Sequence, residues 1–219
     1  MPQNIGNAKN ILVGASPLFL SAKDSTQGTY VENMEPGAAS GVTPVVATPY
    51  ANTLNATDGS KFRNVGFTNN GLQITYNPSY GSVTVDQLLD SAKLFKETME
   101  VMIATEFAEG TLENVLGVFG QSAATLTESG KKLGLAAGAL GEAPVERQLV
   151  AIGQAPTTAA SSKTERVYYA RRVLSVQQSQ FSLARNAAST FPVTFRLLPS
   201  GASADAGAEY GTIVDRTWL

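Results

Sequence analysis

Four glutamates, Glu97, Glu100, Glu106 and Glu109, fall close together, and paired carboxylates are what glycoside hydrolysis uses as acid and nucleophile. On an extended strand Glu100 and Glu106 share a face, but at about 3.3 Å per residue they stand about 20 Å apart, too far for either stereochemical course. A polar face, turned outward or toward a neighbouring subunit, explains them better. "ESGKKLG" at 128–134 imitates a phosphate loop, yet Thr125 stands where the first glycine belongs and Lys132 where Ser or Thr would hold magnesium. "GLAAGALG" at 134–141 lacks the paired glycines and the preceding strand of a dinucleotide loop, and reads as a connection. Arg166, Arg171 and Arg172 with Tyr168 and Tyr169 mix cations and rings as a nucleic-acid stacking surface does. Against a net charge of −2, ion pairs between strands or between subunits are the better account.

The chain has no cysteine and no histidine, which removes Cys/His zinc sites, the cysteine nucleophile and every histidine-based triad. The expectation is a protein that is not an enzyme, with no catalytic residue, no metal and no cofactor. A charged fraction of 16% leaves a surface made largely of Ser, Thr, Asn, Gln and Gly, without a basic field for nucleic acid or anionic lipid. No segment approaches the roughly 20 apolar residues a membrane helix needs, and no membrane anchoring is expected. "KNILVGASPLFLSAK" at 9–23 loosely resembles a secretory signal, but Gly14 and Pro17 interrupt it. Ile11, Val13 and Phe19 read instead as an N-terminal strand broken in the middle.

The elements around these residues are mostly strands within one domain, 1–219. Residues 21–60 are a Gly/Ser/Thr/Pro-rich extended arm or loop insertion in which Val42, Val45 and Val46 can make one strand. In "NNGLQITYNPSYGSVTVDQ" at 69–87, Leu72, Ile74 and Tyr76 alternate with Gln73, Thr75 and Asn77 as in a half-buried antiparallel strand. Turn residues at 77–81 then divide 71–86 into a hairpin. In residues 97–108, Met99, Val101, Ile103 and Phe107 alternate with Glu100, Met102, Ala104 and Glu106 and read as a strand. Leu112, Val115, Leu116 and Phe119 fall at i, i+3, i+4 and i+7, a short amphipathic helix with Thr111 as N-cap and Gly120 as its stop. Residues 121–144 form a flexible connection, after which 145–154, 164–177, 191–200 and 210–218 are strands. Together they specify a mainly β protein, an antiparallel sandwich or barrel with one short helix packed on its side.

The hairpin ending in Val-Asp-Gln at 85–87, the following strand, "AEGTLENVLGVFG" at 108–120 and the last strand "YGTIVDRTW" resemble, in that order, the tail tube (major tail) proteins of tailed bacteriophages. Residues 65–120 carry most of the resemblance and 164–218 fit more loosely, while 21–60 are longer and less patterned than the common motif. The resemblance implies protomers that join sheets into rings, hexameric in that family's manner, which stack into a hollow tube passing DNA to the host. Contractile injection and type VI secretion tubes share the architecture. It further implies a virion tail location, with assembly in the host cytoplasm. Implied partners are other copies of the chain, tape measure, tail terminator and baseplate or initiator proteins, a sheath if the tail contracts, and DNA in transit through the lumen. On this reading 36–58 is an inter-ring arm with Val42, Val45, Val46 and Tyr50 as contacts. Asp86, Gln87, Glu113, Arg171 and Arg172 are the candidates for polar contacts between subunits. Leu112, Val115, Leu116 and Phe119 should face the protomer's own core, with Glu113 and Asn114 toward solvent or a neighbour. The competing expectation is a monomeric secreted or surface β-sandwich that binds a ligand, which calls for exposed aromatics on one face; the single tryptophan, Trp218, lies at the end of the chain.

Overall fold

The computed structural model describes residues 12, 14, 16–21, 24, 36, 45, 46, 49–55, 62–156, 163–181, 183, 185, 186 and 188–218. Ile11, Val13 and Val42 lie outside them. In chain order the strands are β1 (Leu18–Ser21), β2 (Val45–Val46), β3 (Phe62–Asn64), β4 (Thr68–Thr84), β5 (Ser91–Phe107), β6 (Leu126–Thr127), β7 (Lys132–Leu133), β8 (Arg147–Gln154), β9 (Thr164–Ser175), β10 (Phe191–Leu197) and β11 (Gly211–Trp218). Helix α1 (Tyr50–Asn55) follows β2, and helix α2 (Leu112–Val118) follows β5. The main sheet has the order β3-β1-β8-β9-β10-β5-β4, antiparallel throughout; β11 joins β9 antiparallel, and β2 lies parallel to β11. This is the mainly β, antiparallel, open-sheet architecture expected, consistent with a sandwich.

Strands β1 and β8 are buried along nearly their whole length because each faces two cores. Leu18, Leu20, Leu149 and Ala151 point to one side, where they meet Ile103 and Phe107 of β5 and Phe191, Val193 and Phe195 of β10. Phe19, Val150 and Ile152 point to the other, where Phe62, Val167 and Tyr169 are covered by Tyr50 and Leu54 of α1. A strand with apolar residues on both faces requires such a sandwiched position.

The sheet splits into layers along β9. Its first half, from Thr164 to Ala170, pairs with β11, whereas Val173–Ser175 pair with β10 on the same edge. At the fork the Arg171 amide donates to the Tyr210 carbonyl (3.2 Å) and the Leu198 amide donates to the Arg172 carbonyl (2.9 Å). The chain from 198 to 210 therefore satisfies the backbone that the diverging strands leave unpaired.

Helix α2 starts as its sequence specifies: Thr111 is extended (φ −67°, ψ 147°) and its hydroxyl accepts from the Asn114 amide, while Gly120 at φ 61° ends the helix. Leu116 and Val118 are buried, Val115 packs on the core, Leu112 is half-buried, and Phe119 is exposed beside the Phe181 ring. Asn114 corrects its expected placement, for it is fully buried. Its Nδ2 donates to the Val65 and Glu109 carbonyls (2.8 Å each) and its Oδ1 accepts from Arg63 Nη1 (2.6 Å). A polar side chain with every group satisfied is tolerated inside.

The hairpin at 71–86 is also corrected. Strand β4 runs unbroken through Asn77, Pro78 and Gly81, and the reversal falls at 85–90. Proline lacks a ladder donor but is permitted on an edge strand, and β4 is the last strand of the sheet. Gly81 leaves room for its neighbours, since a Cβ there would come within 2.6 Å of the Phe95 ring. Between α2 and β8, Ala123–Thr125 form one 3-10 turn and β6–β7 a tight hairpin. "ESGKKLG" supplies the turn and the return strand of that hairpin, with Glu128, Ser129 and Gly130 all at positive φ.

Candidate assembly surface

Strands β4 and β5 are each 17 residues long, on the order of 55 Å when extended, and pair antiparallel over nearly all of it. Only the end near Val101–Phe107 is covered by the body; residues 73–77 and 79–98 are exposed apart from Pro78, Gly81 and Ser91, which are half-buried. The two strands thus leave the body as a two-stranded ribbon.

Residues directly opposite share a face, so the register assigns the sides. Ile74/Ile103, Tyr76/Val101 and Pro78/Met99 lie on one face, which continues the core outward. A bulge at Glu97 then shifts β5 by one residue, so Tyr80/Lys96 and Ser82/Leu94 keep to that face. The other face carries Gln73/Ala104, Thr75/Met102, Asn77/Glu100 and Ser79/Thr98, and Arg196 of β10 pairs with Glu100 at 3.7 Å. The apolar face passes from Ile103, 3% exposed, to Tyr76 and Leu94, 64% and 65% exposed. Lys96 lies over the Tyr76 ring at 5.5 Å. At the tip, Leu88 and Leu89 are exposed, and the Leu88 amide donates to the Val85 carbonyl (3.1 Å) to close the turn.

At the ribbon's root, Ile74, Tyr76, Val101 and Ile103 form one wall of an apolar cleft of about 250 Å³. Tyr168, Leu197, Tyr210 and Ile213 form the other wall, at the fork of β9. Two open edges flank it. Among the described residues β4 has no partner beyond β5, and from Gly211 to Arg216 β11 has no strand partner besides β9.

Asp86 and Gln87 sit exposed in the ribbon's turn, and Glu113 is exposed on α2, 3.5 Å from Arg63. Val45 and Val46 pair with Thr217 and Trp218 of their own chain. Tyr50 is 5% exposed, its ring lies 4.9 Å from the Arg216 guanidinium, and its amide donates to Glu165 (3.0 Å). Arg171 and Arg172 are buried and paired inside the chain. Arg172 forms a two-point pair with Glu146 (2.6 and 2.7 Å) and donates to the Pro199 carbonyl, and Arg171 pairs with Asp205 (3.1 Å). Arg166 makes a two-point pair with Asp215, which raises its pKa further above the ordinary guanidinium range.

Two of the four clustered glutamates accept hydrogen bonds within the chain. Glu106 accepts from Asn69, Asn70 and Thr190, and Glu109 accepts from the Phe67 amide (2.9 Å). Among the described residues no group of three or more His, Cys, Asp or Glu is placed to hold a metal, and no helix is long and apolar enough to cross a membrane. Sequence reasoning missed the ribbon, whose signal was an alternation that continues past Asn77-Pro78 and is mirrored by the equally long run before Phe107. No known protein family pattern matches this chain, and no curated protein matches it significantly in sequence.

Proposed function

We propose that this protein is a tail-tube subunit that polymerises with copies of itself into stacked rings, forming a hollow tube through which DNA passes. One observation carries the reading: a two-stranded ribbon with a continuous apolar face and an open edge projects from a well-packed body. An isolated two-stranded ribbon is at best marginally stable in water, and an exposed flat edge invites pairing with another chain. Both features are accounted for if a neighbouring copy covers the ribbon on assembly. The resemblance in 65–120 supplies the class of assembly, and the low charge suits a lumen that must not retain phosphates. On this reading the ribbon replaces 36–58 as the leading contact element between subunits, with Asp86 and Gln87 at its tip.

A second reading has its own support. Tyr76 and Tyr80 are exposed on one face next to the apolar cleft, as a monomeric β-sandwich module that binds a ligand would require. Negative-stain electron microscopy of the purified chain over a concentration series separates the two. Rings or tubes of uniform width, lost when Tyr76→Ser and Leu94→Ser are combined, support the tube subunit. A monomer at every concentration, with or without tail initiator proteins, rejects it in favour of the binding module.

A further inference from the structure

We propose that Asn70 is a site of spontaneous deamidation at the root of the ribbon, where its product carboxylate faces Glu106. The proposal is independent of the tail-tube reading. Residues 70–71 are the chain's single Asn-Gly pair. In the reaction the Gly71 backbone nitrogen gives up its proton to solvent base and bonds to Cγ of Asn70. The Cγ–Nδ2 bond breaks, and the amide nitrogen leaves as ammonia. The resulting succinimide ring is opened by water at either carbonyl, giving aspartate or isoaspartate. One water is consumed and one ammonia released, with no change of oxidation state.

The surroundings leave this ring closure unobstructed. Asn70 and Gly71 are exposed, and a Cβ at Gly71 would meet nothing within 4 Å. Glycine presents its nitrogen without a side chain beside it and adopts unusual backbone angles at little steric cost. Both residues have left-handed φ, 59° and 70°. They also fall in the register break between Asn69 and Gln73, so the peptide between them can rotate without dismantling a matched pair. Asn77 on the same strand is the internal contrast, because the nitrogen that follows it belongs to Pro78 and carries no proton.

The consequence lies in the contact. Asn70 Nδ2 donates to Glu106 Oε2 at 2.6 Å, alongside Asn69 Nδ2 at 3.2 Å, and the Thr190 hydroxyl donates to Oε1. Among the described residues no cation pairs with Glu106. Deamidation replaces a donor by a second carboxylate, and isoaspartate also adds a carbon to the backbone inside the bulge. Like charges across paired strands are unfavourable, so the ribbon's root loosens as the protein ages.

The test is peptide mapping by mass spectrometry of the intact folded chain held at mildly alkaline pH, beside a denatured sample. Conversion of Asn70 to paired aspartate and isoaspartate products in the folded chain, several-fold faster than any change at Asn77 or Asn64, is the expected result. Retention of Asn70 in the folded chain while the denatured chain converts would overturn the site. The opposition of carboxylates is tested separately with Asn70→Asp, whose unfolding midpoint should drop below that of the parent and be largely restored by adding Glu106→Gln. Equal midpoints for the parent and Asn70→Asp would overturn that part.

Discussion

The two ends of the β4–β5 pair use the same alphabet for opposite ends. Toward the body, Val101, Ile103 and Phe107 share one face of β5 and are buried under β1, β8 and β10. Toward the tip, Tyr76, Tyr80 and Leu94 continue that alternating face and stay in water. Alternation establishes which residues share a face, whereas burial depends on whether a second layer lies above it. The body also buries its charges in pairs, Arg172 with Glu146 and Arg171 with Asp205, while the ribbon keeps its charges at the surface. The difference sets a body that covers its own apolar and charged groups against a ribbon whose apolar face stays in water.

Substitutions can break or sharpen this contrast. The largest effect should come from Glu146→Ala, which strands the buried Arg172 guanidinium and should cost about 3–5 kcal/mol in urea unfolding. Leu149→Ala, at a fully buried position between β1 and β9, should cost about 2–5 kcal/mol by the same measurement. Removing the cap of α2 with Thr111→Ala should cost about 1 kcal/mol. On the ribbon, Leu94→Ser should leave the stability of the isolated chain within about 0.5 kcal/mol while weakening assembly seen by sedimentation. A loss at Leu94 as large as that at Leu149 would mean that the chain covers its own ribbon, and the contrast would fail.

The smallest effect is a slope with pH. Burial, ahead of the opposing Tyr50 amide and the Arg216 cation, raises the pKa of Glu165. A carboxylate held above its unfolded value binds its proton more tightly in the folded chain. Its contribution favours the fold below the unfolded pKa and is lost as pH rises through the folded one. Stability should therefore decline as pH climbs from the ordinary carboxylate range to that raised value, and Glu165→Gln should flatten the interval. An unchanged decline in the variant would assign the slope to another group.

Much of the architecture was legible because strand and helix signals are local. The alternation of 97–108, the β-rich runs at 145–154, 164–177, 191–200 and 210–218, and the Thr111 and Gly120 boundaries of α2 are all present in the fold. What misled were residues whose meaning depends on distant partners. Asn77-Pro78 and Tyr80-Gly81 read as a turn until β4 is known to be an edge strand paired with β5. Asn114 reads as a surface residue until the Val65 and Glu109 carbonyls and Arg63 are placed around it. The contact of the Tyr50 amide with Glu165, 115 positions away, has no signal in the sequence around either residue.

The sequence by itself determined the class of fold and the face each strand residue shares, because periodicity and residue type act over a few neighbours. Only the tertiary structure decided that β9 forks, that its arginines are consumed internally, and that one apolar face runs off the body uncovered. Those outcomes depend on which strands become neighbours, and that choice is made by packing across the whole chain.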